Sequence, residues 1–321
     1  MNKVLVTGGG DILDYHVIKR LNERGIRPRS LVLPGSDTTH IHSLLVDPMG
    51  EIPGDLAAAL QGVDTVVHMA YEVKPGGTRE DMHEVNVVGT RKLLDAAEAA
   101  GVTRVVASSS ALTVGVHGEP APLDEDADWA VHAIDIPYAE SRREAEQLAL
   151  SRSRPGFELV VVAPALTIGP EDFVPAPGGS IIKRVIAGRF VPTFDVGVGC
   201  VDARDFADGV LLGAERGRPG QRYVLCAHNT TLKDLVAEVA AIAGIRARTW
   251  HLPRWLPRAL IAALGFWSRV RGKAPPVPPG IAKLIGHYGW YDARRMRDLG
   301  WRPRPLRETL ADTVRWFREH P

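Results

Sequence analysis

The chain has 321 residues, 45% of them apolar, and a formal net charge of +1 from 39 basic and 38 acidic side chains. That balance excludes a chain-wide attraction to nucleic acid or anionic membrane, and two cysteines, Cys200 and Cys226, give neither a disulfide framework nor a metal-ligand spacing. The longest apolar stretch, residues 259–267, falls short of the roughly 20 needed to span a bilayer. With no leader-like pattern before the first strand, a cytoplasmic protein with no membrane or nucleic-acid partner is expected.

Residues 4–7 read as a strand and residues 12–24 as a helix that Gly25 ends. A strand over 29–33 follows, then a helical pattern at 56–60 stopped by Gly62, and a strand at 65–70. Residues 85–100 read as a helix stopped by Gly101, 104–108 as a strand, 138–153 as a helix and 159–163 as a strand. Alternation of this kind predicts an α/β fold, a Rossmann-like doubly wound parallel sheet. Continuous β-branched runs such as Val160-Val161-Val162 suit strands buried on both faces. Beyond about residue 175 the pattern loosens. The expected division is a sheet domain over 1–175, rejoined by 201–227, and a smaller, mostly helical substrate lobe from 176–200 and 228–321.

The first strand ends in Gly8-Gly9-Gly10, the setting of a dinucleotide-binding turn. Such a turn needs glycine for tight turning, for backbone approach to a pyrophosphate and for helix–strand packing. Read as G-x-x-G-x-x-G, the three positions are Gly8, Asp11 and Asp14, so two carry carboxylates.

By Ser108 the chain resembles the extended short-chain dehydrogenase/reductase family, nearest the branch of 3β-hydroxysteroid dehydrogenases, dihydroflavonol reductases and sugar-nucleotide epimerases. Val67-His68-Met69-Ala70, Asn86-Val87-Val88-Gly89-Thr90, Ser108-Ser109-Ser110 and Pro137-Tyr138-Ala139-Glu140-Ser141-Arg142 carry the resemblance, as do Val201 to Ala207 and Leu299-Gly300-Trp301-Arg302-Pro303. It implies catalytic roles for Tyr138 and Ser110, with Arg142 where relatives hold a lysine. It also implies cofactor contacts at Gly8, Gly10, Asp11, Leu33, His68 and Ala70, and a homodimer through the helices of 85–100 and of Tyr138.

These cofactor positions depart from the family's pattern together. A carboxylate at Asp11 competes with phosphate for the helix N-terminus. Leu33 replaces the arginine or acid that grips the adenosine ribose, and Tyr71 stands where a small residue lies against the cofactor. Arginine at 142 keeps the charge of lysine but not its shape. The reading is therefore a cofactor-free acid–base enzyme, acting by isomerisation, elimination, cyclisation or retro-aldol chemistry on an apolar carbonyl compound such as a polyketide-like or polycyclic metabolite. In it Arg142 biases Tyr138 toward its phenolate or stabilises an enolate. Tyr71, His132 and Trp267 are the substrate candidates, and Trp250, Trp255, Leu256 and Phe266 join Trp267 in a hydrophobic wall. An ordinary NAD(P)H-dependent reductase or epimerase, with NAD(P) in an altered turn, is the alternative; a non-catalytic binding protein is another. No metal is expected. Asp124, Glu125, Asp126 and Asp128 read as a solvated acidic loop, and residues 294–307 as a basic surface tail.

Overall fold

A computed structural model describes residues 1–8, 10–41, 44–51, 56–71, 78–127, 129, 136–271 and 281–321. In chain order the first half runs β1 (Val4–Gly8), α1 (Ile12–Glu23), β2 (Arg29–Val32), β3 (Asp47–Glu51), α2 (Leu56–Leu60), β4 (Thr65–His68), α3 (Arg79–His83), a π turn (Glu84–Val88), α4 (Gly89–Ala99), β5 (Arg104–Ser108), a 3-10 turn (Ala111–Thr113) and α5 (Pro137–Ser151). The second half runs β6 (Glu158–Pro164), β7 (Leu166–Ile168), α6 (Pro177–Ile186), β8 (Gly197–Asp202), α7 (Ala203–Arg216), β9 (Arg222–Leu225), β10 (His228–Thr231), α8 (Leu232–Ala243), α9 (Trp255–Val270), α10 (Ile281–Leu284), β11 (Tyr288–Gly289), α11 (Arg294–Asp298) and α12 (Leu306–Glu319).

Seven strands form one sheet in the order β3-β2-β1-β4-β5-β6-β9. Every pairing in it is parallel. Successive side chains of a strand point to opposite faces. Leu5, Leu31, Val66, Val105 and Leu159 therefore pack on one face beneath Leu93, Leu94 and Ala97 of α4. Val4, Val6, Val67, Val106 and Val160 pack on the other beneath Val17, Ile18 and Leu21 of α1 and Phe206 and Val210 of α7. Each such fully buried aliphatic side chain contributes roughly 1.5–3 kcal/mol. The sheet order reverses between β1 and β4, which opens a crevice at the carboxyl ends of those strands, beside Gly8 and His68.

The chain leaves this sheet after β6 and returns through α7 and β9. The remaining lobe is built on α6, α8 and α12, whose Ile182, Leu235, Val239, Leu310 and Val314 share a core. It also holds a small second sheet, in which β8 pairs antiparallel with β10 and parallel with β7 and β11. Strands of two to six residues, with Gly197 and Gly199 in β8, leave no alternating pattern to read.

Two surface readings are corrected here. Glu125 is buried, and its Oε1 accepts the Val224 N–H at 3.2 Å. Arg304 reaches inward to pair with Asp205 at 2.7 Å and Asp202 at 3.3 Å. Each charge meets a partner inside, which a count of neighbouring charges along the chain does not reveal.

Candidate active site

The site grows from the turn between β1 and α1. Gly10 has φ +77°, and a Cβ there would stand 2.5 Å from the Asp37 carbonyl oxygen, so the position requires glycine. Asp11 is the N-cap of α1: its Oδ1 accepts the N–H of Leu13 at 2.8 Å and of Asp14 at 3.3 Å. Asp14 is 1% exposed, and its Oδ2 accepts the Gly10 N–H at 2.8 Å. A Cβ on Gly8 would meet that same oxygen at 2.2 Å, so the Asp14 carboxyl fills the crevice beside Gly8. Burial, and then the neighbouring Asp11 carboxylate, push the Asp14 carboxyl well above its usual range.

Tyr71 closes over this pair, donating from Oη to Asp11 Oδ2 at 3.2 Å. The Arg142 guanidinium lies 4.6 Å from the centroid of the Tyr71 ring. The Tyr138 ring follows at 6.3 Å from that of Tyr71, and Ser110 stands near enough to the Tyr138 phenol to act on its proton. The structure thus gathers Asp11, Tyr71, Arg142, Tyr138 and Ser110 in one neighbourhood.

Arg142 is buried and donates from Nη2 to the Ser108 carbonyl oxygen. Its Nε, like Ser108 Oγ, has no hydrogen-bond partner among the described residues. The expected bias of Tyr138 toward phenolate is corrected. Burial pushes the phenol above its ordinary value, Arg142 and Ser110 pull it back only in part, and Asp11 adds to the rise. Tyr138 therefore holds its proton at neutral pH.

His68 takes a structural place. Thr90 Oγ1 donates to the Asn86 carbonyl at 2.6 Å and so accepts from His68 Nε2 at 2.8 Å. His68 Nδ1 is left to accept from Thr7 Oγ1 at 2.7 Å. Burial and the nearby Arg142 lower His68 to about 3, so it stays neutral. Ala70 is buried beside it, its N–H 3.4 Å from Thr7 Oγ1. Leu33 is half-buried and donates its N–H to the Gly8 carbonyl at 3.0 Å.

Trp267 is 57% exposed on the outer side of α9, where it meets the Arg271 guanidinium. Trp250, Trp255, Leu256 and Phe266 are exposed too, so the expected hydrophobic wall faces outward. Tyr138 packs instead against the buried cluster of Val116, Trp129, Ile136 and Ala139, as do Leu112 and Leu284. His132 lies outside the described residues.

Three features escaped the sequence reading. The first is the π turn, which buries Asn86 so that its Nδ2 donates to Ser141 Oγ at 2.9 Å, next to Arg142. Such a turn inside a helix is frequent at functional sites. The second is Glu146. Its Oε2 accepts from Ser109 and Thr113, each at 2.6 Å, and its Oε1 from Arg222 at 2.8 Å. This clamps the turn that carries Ser110 to α5. The third is Asp172, whose carboxyl accepts the Ala176 N–H at 3.1 Å. Burial, with Asp11 adding, pushes Asp172 up to about 7. The Asn86–Ser141 and Glu146–Arg222 pairs lie 55 and 76 residues apart, so no local spacing marks them.

Residues 4–226 match the NAD dependent epimerase/dehydratase family. Along 98% of its length the chain is 32% identical to a putative dihydroflavonol 4-reductase of Synechocystis sp., covering 94% of that protein. It is 29% identical to sterol demethylase protein B of Methylococcus capsulatus, with 98% of each chain covered. Among solved structures it superposes on gox2253 with a TM-score of 0.85 at 30% identity, over 100% of this chain and 99% of that one. It shares the fold of MoeE5, solved with UDP-glucose and NAD, with a TM-score of 0.77 at 21% identity and 99% of both chains covered.

Proposed function

The chain belongs to the NAD dependent epimerase/dehydratase family, and on that premise we propose that it is an acid–base enzyme working without a nicotinamide cofactor. The observation that carries this reading is the capture of the turn's amide donors by Asp11 and Asp14. In a dinucleotide-binding turn those N–H groups and the positive helix end face a pyrophosphate. Here they face carboxyl groups of the chain itself. A phosphate set about 4 Å from the Asp11 carboxylate meets a repulsion on the order of 4 kcal/mol at an effective dielectric of about 20. The Asp14 side chain fills the space beside Gly8, and Leu33 offers neither cation nor acid to an adenosine ribose. The residues present do not fit a dinucleotide, so no hydride transfer enters the scheme.

What remains at the site is proton chemistry. Tyr138, held in its protonated form, donates to a substrate carbonyl oxygen and Ser110 steadies the same oxygen, while the α-proton leaves to solvent water and is replaced from it. Arg142, buried behind Tyr71, supplies a fixed positive field that favours the oxyanion or enolate formed there. The reactions served are isomerisation, elimination, cyclisation or retro-aldol cleavage next to a carbonyl. The apolar cluster of Val116, Trp129 and Ile136 against which Tyr138 packs favours an apolar compound of polycyclic or polyketide-like type.

A second reading, an NAD(P)H-dependent reductase or epimerase, draws on the Ser110–Tyr138 pair and on relatives named for reductase chemistry. One assay separates the two: incubation with apolar ketones in heavy water, following deuterium uptake at the α-carbon. Exchange without nucleotide, lost in Tyr138→Phe, supports the proposal. Turnover that begins only when NADH or NADPH is added overturns it.

A further inference from the structure

Helix α9 is packed inside out. The stripe it turns inward is Pro257, Ile261, Gly265 and Ser268, of which Pro257 and Gly265 are buried and the others half-buried. Its large apolar side chains point the other way: Trp255 is 67% exposed, Phe266 65%, Trp267 57% and Leu260 55%. Trp250, just before the helix, is exposed and packs edge-on against exposed Phe190 at 5.6 Å. Isolated exposed apolar residues are ordinary, but a contiguous set on one helix marks an interaction surface.

The charge around this set is one-sided. From Val239 to Tyr291 the sequence holds six arginines, two lysines and no aspartate or glutamate. Arg246, Arg248, Arg254, Arg258 and Arg271 are exposed, and Arg254 alone of these pairs with a carboxylate among the described residues, Asp195 at 2.9 Å. We propose that this face docks on the surface of an anionic lipid bilayer, with the outward Trp, Phe and Leu side chains at the headgroup–acyl boundary and the arginines on the headgroups. Tryptophan suits that depth because its ring is apolar and its N–H is wet. A basic helix with an aromatic and aliphatic face lies in the interface plane. No described helix is long and apolar enough to cross a membrane, so the attachment is to one leaflet. A second copy as occupant is disfavoured, because a two-fold contact sets two faces with an excess of arginine together. The near-zero net charge of the whole chain hides this segment, whose excess of cations is offset by acids elsewhere.

The test is flotation of the purified full-length chain with vesicles of phosphatidylcholine alone and of phosphatidylcholine mixed with phosphatidylglycerol, with tryptophan emission recorded. The expected result is partition onto the anionic vesicles with a blue shift, weakened by salt, and little onto the neutral ones. The doubly exposed variant Leu260→Asp/Trp267→Asp keeps its thermal midpoint and loses partition at least about tenfold. Absence of wild-type flotation overturns the proposal, as does flotation unchanged in that variant. A dimer in light scattering that the variant splits, without vesicle binding, assigns the face to a protein contact and overturns it too. So does retention on DNA without vesicle binding.

Discussion

The carboxyl of Asp14 reaches back four residues to take the Gly10 N–H at 2.8 Å, and in doing so fills the space beside Gly8. One side chain thus occupies both the donor and the gap that a third glycine leaves in a dinucleotide-binding turn. Replacing Asp11 and Asp14 together by glycine frees the donors and removes the repelling charge. That double variant is expected to gain affinity for NADH or NADPH by roughly tenfold or more, since about 1.4 kcal/mol of relieved repulsion suffices. Titration by calorimetry checks it, and unchanged weak binding in the variant assigns the barrier elsewhere.

Tyr138 donates a proton in the proposed scheme, so Tyr138→Phe is expected to cut turnover by about a hundredfold or more, with little change in thermal midpoint. Burial raises the phenol above its ordinary value. Activity governed by this group therefore stays level from neutral pH into the mildly alkaline range. A rate that climbs through neutral pH as a phenolate forms assigns Tyr138 to the base role instead.

Buried Glu146 pairs with half-buried Arg222 at 2.8 Å and also holds Ser109 and Thr113. Glu146→Ala takes the carboxylate from Arg222 and the acceptor from both hydroxyls, a change that costs about 3 kcal/mol. The expected result is a thermal midpoint lower by roughly 5–15 °C and a loss of activity through misplaced Ser110. A variant as stable as the wild type contradicts the clamp.

Asp172 sets a pH dependence of stability. Its carboxyl titrates at about 7 when folded, against an ordinary value of 3.8. Between those values the folded protein keeps a proton that the unfolded chain has released, so stability falls as pH rises from about 4 to about 7 and then levels. The upper bound on this contribution is about 4 kcal/mol. Asp172→Asn removes the slope, and denaturant unfolding at several pH values, variant against wild type, reads the difference.

The parallel sheet was legible because its strands carry short valine-rich runs, such as Val105-Val106 and Val160-Val161-Val162, alternating with helical stretches that end in glycine. Residues 104–108 read as one such strand, and β5 occupies the same bounds. Tyr138, Ser110 and Arg142 were legible through motif spacing, and the structure brings them together. The second sheet was not, because β7, β8, β10 and β11 are short or glycine-broken. Trp267 misled for a different reason. Composition says that an aromatic belongs beside apolar neighbours, but not that α9 turns Pro257 and Gly265 inward and its large residues out. The phenolate reading of Tyr138 rested on the Arg142 charge, which a sequence displays, and not on burial, which it does not.

The most direct test of the central claim is a titration of the purified wild-type chain with NADH and with NADPH, followed by heat and by nicotinamide fluorescence. The capture of the turn by Asp11 and Asp14 predicts no saturable binding of either nucleotide up to the millimolar range. Micromolar binding of either one contradicts it and returns the protein to hydride-transfer chemistry.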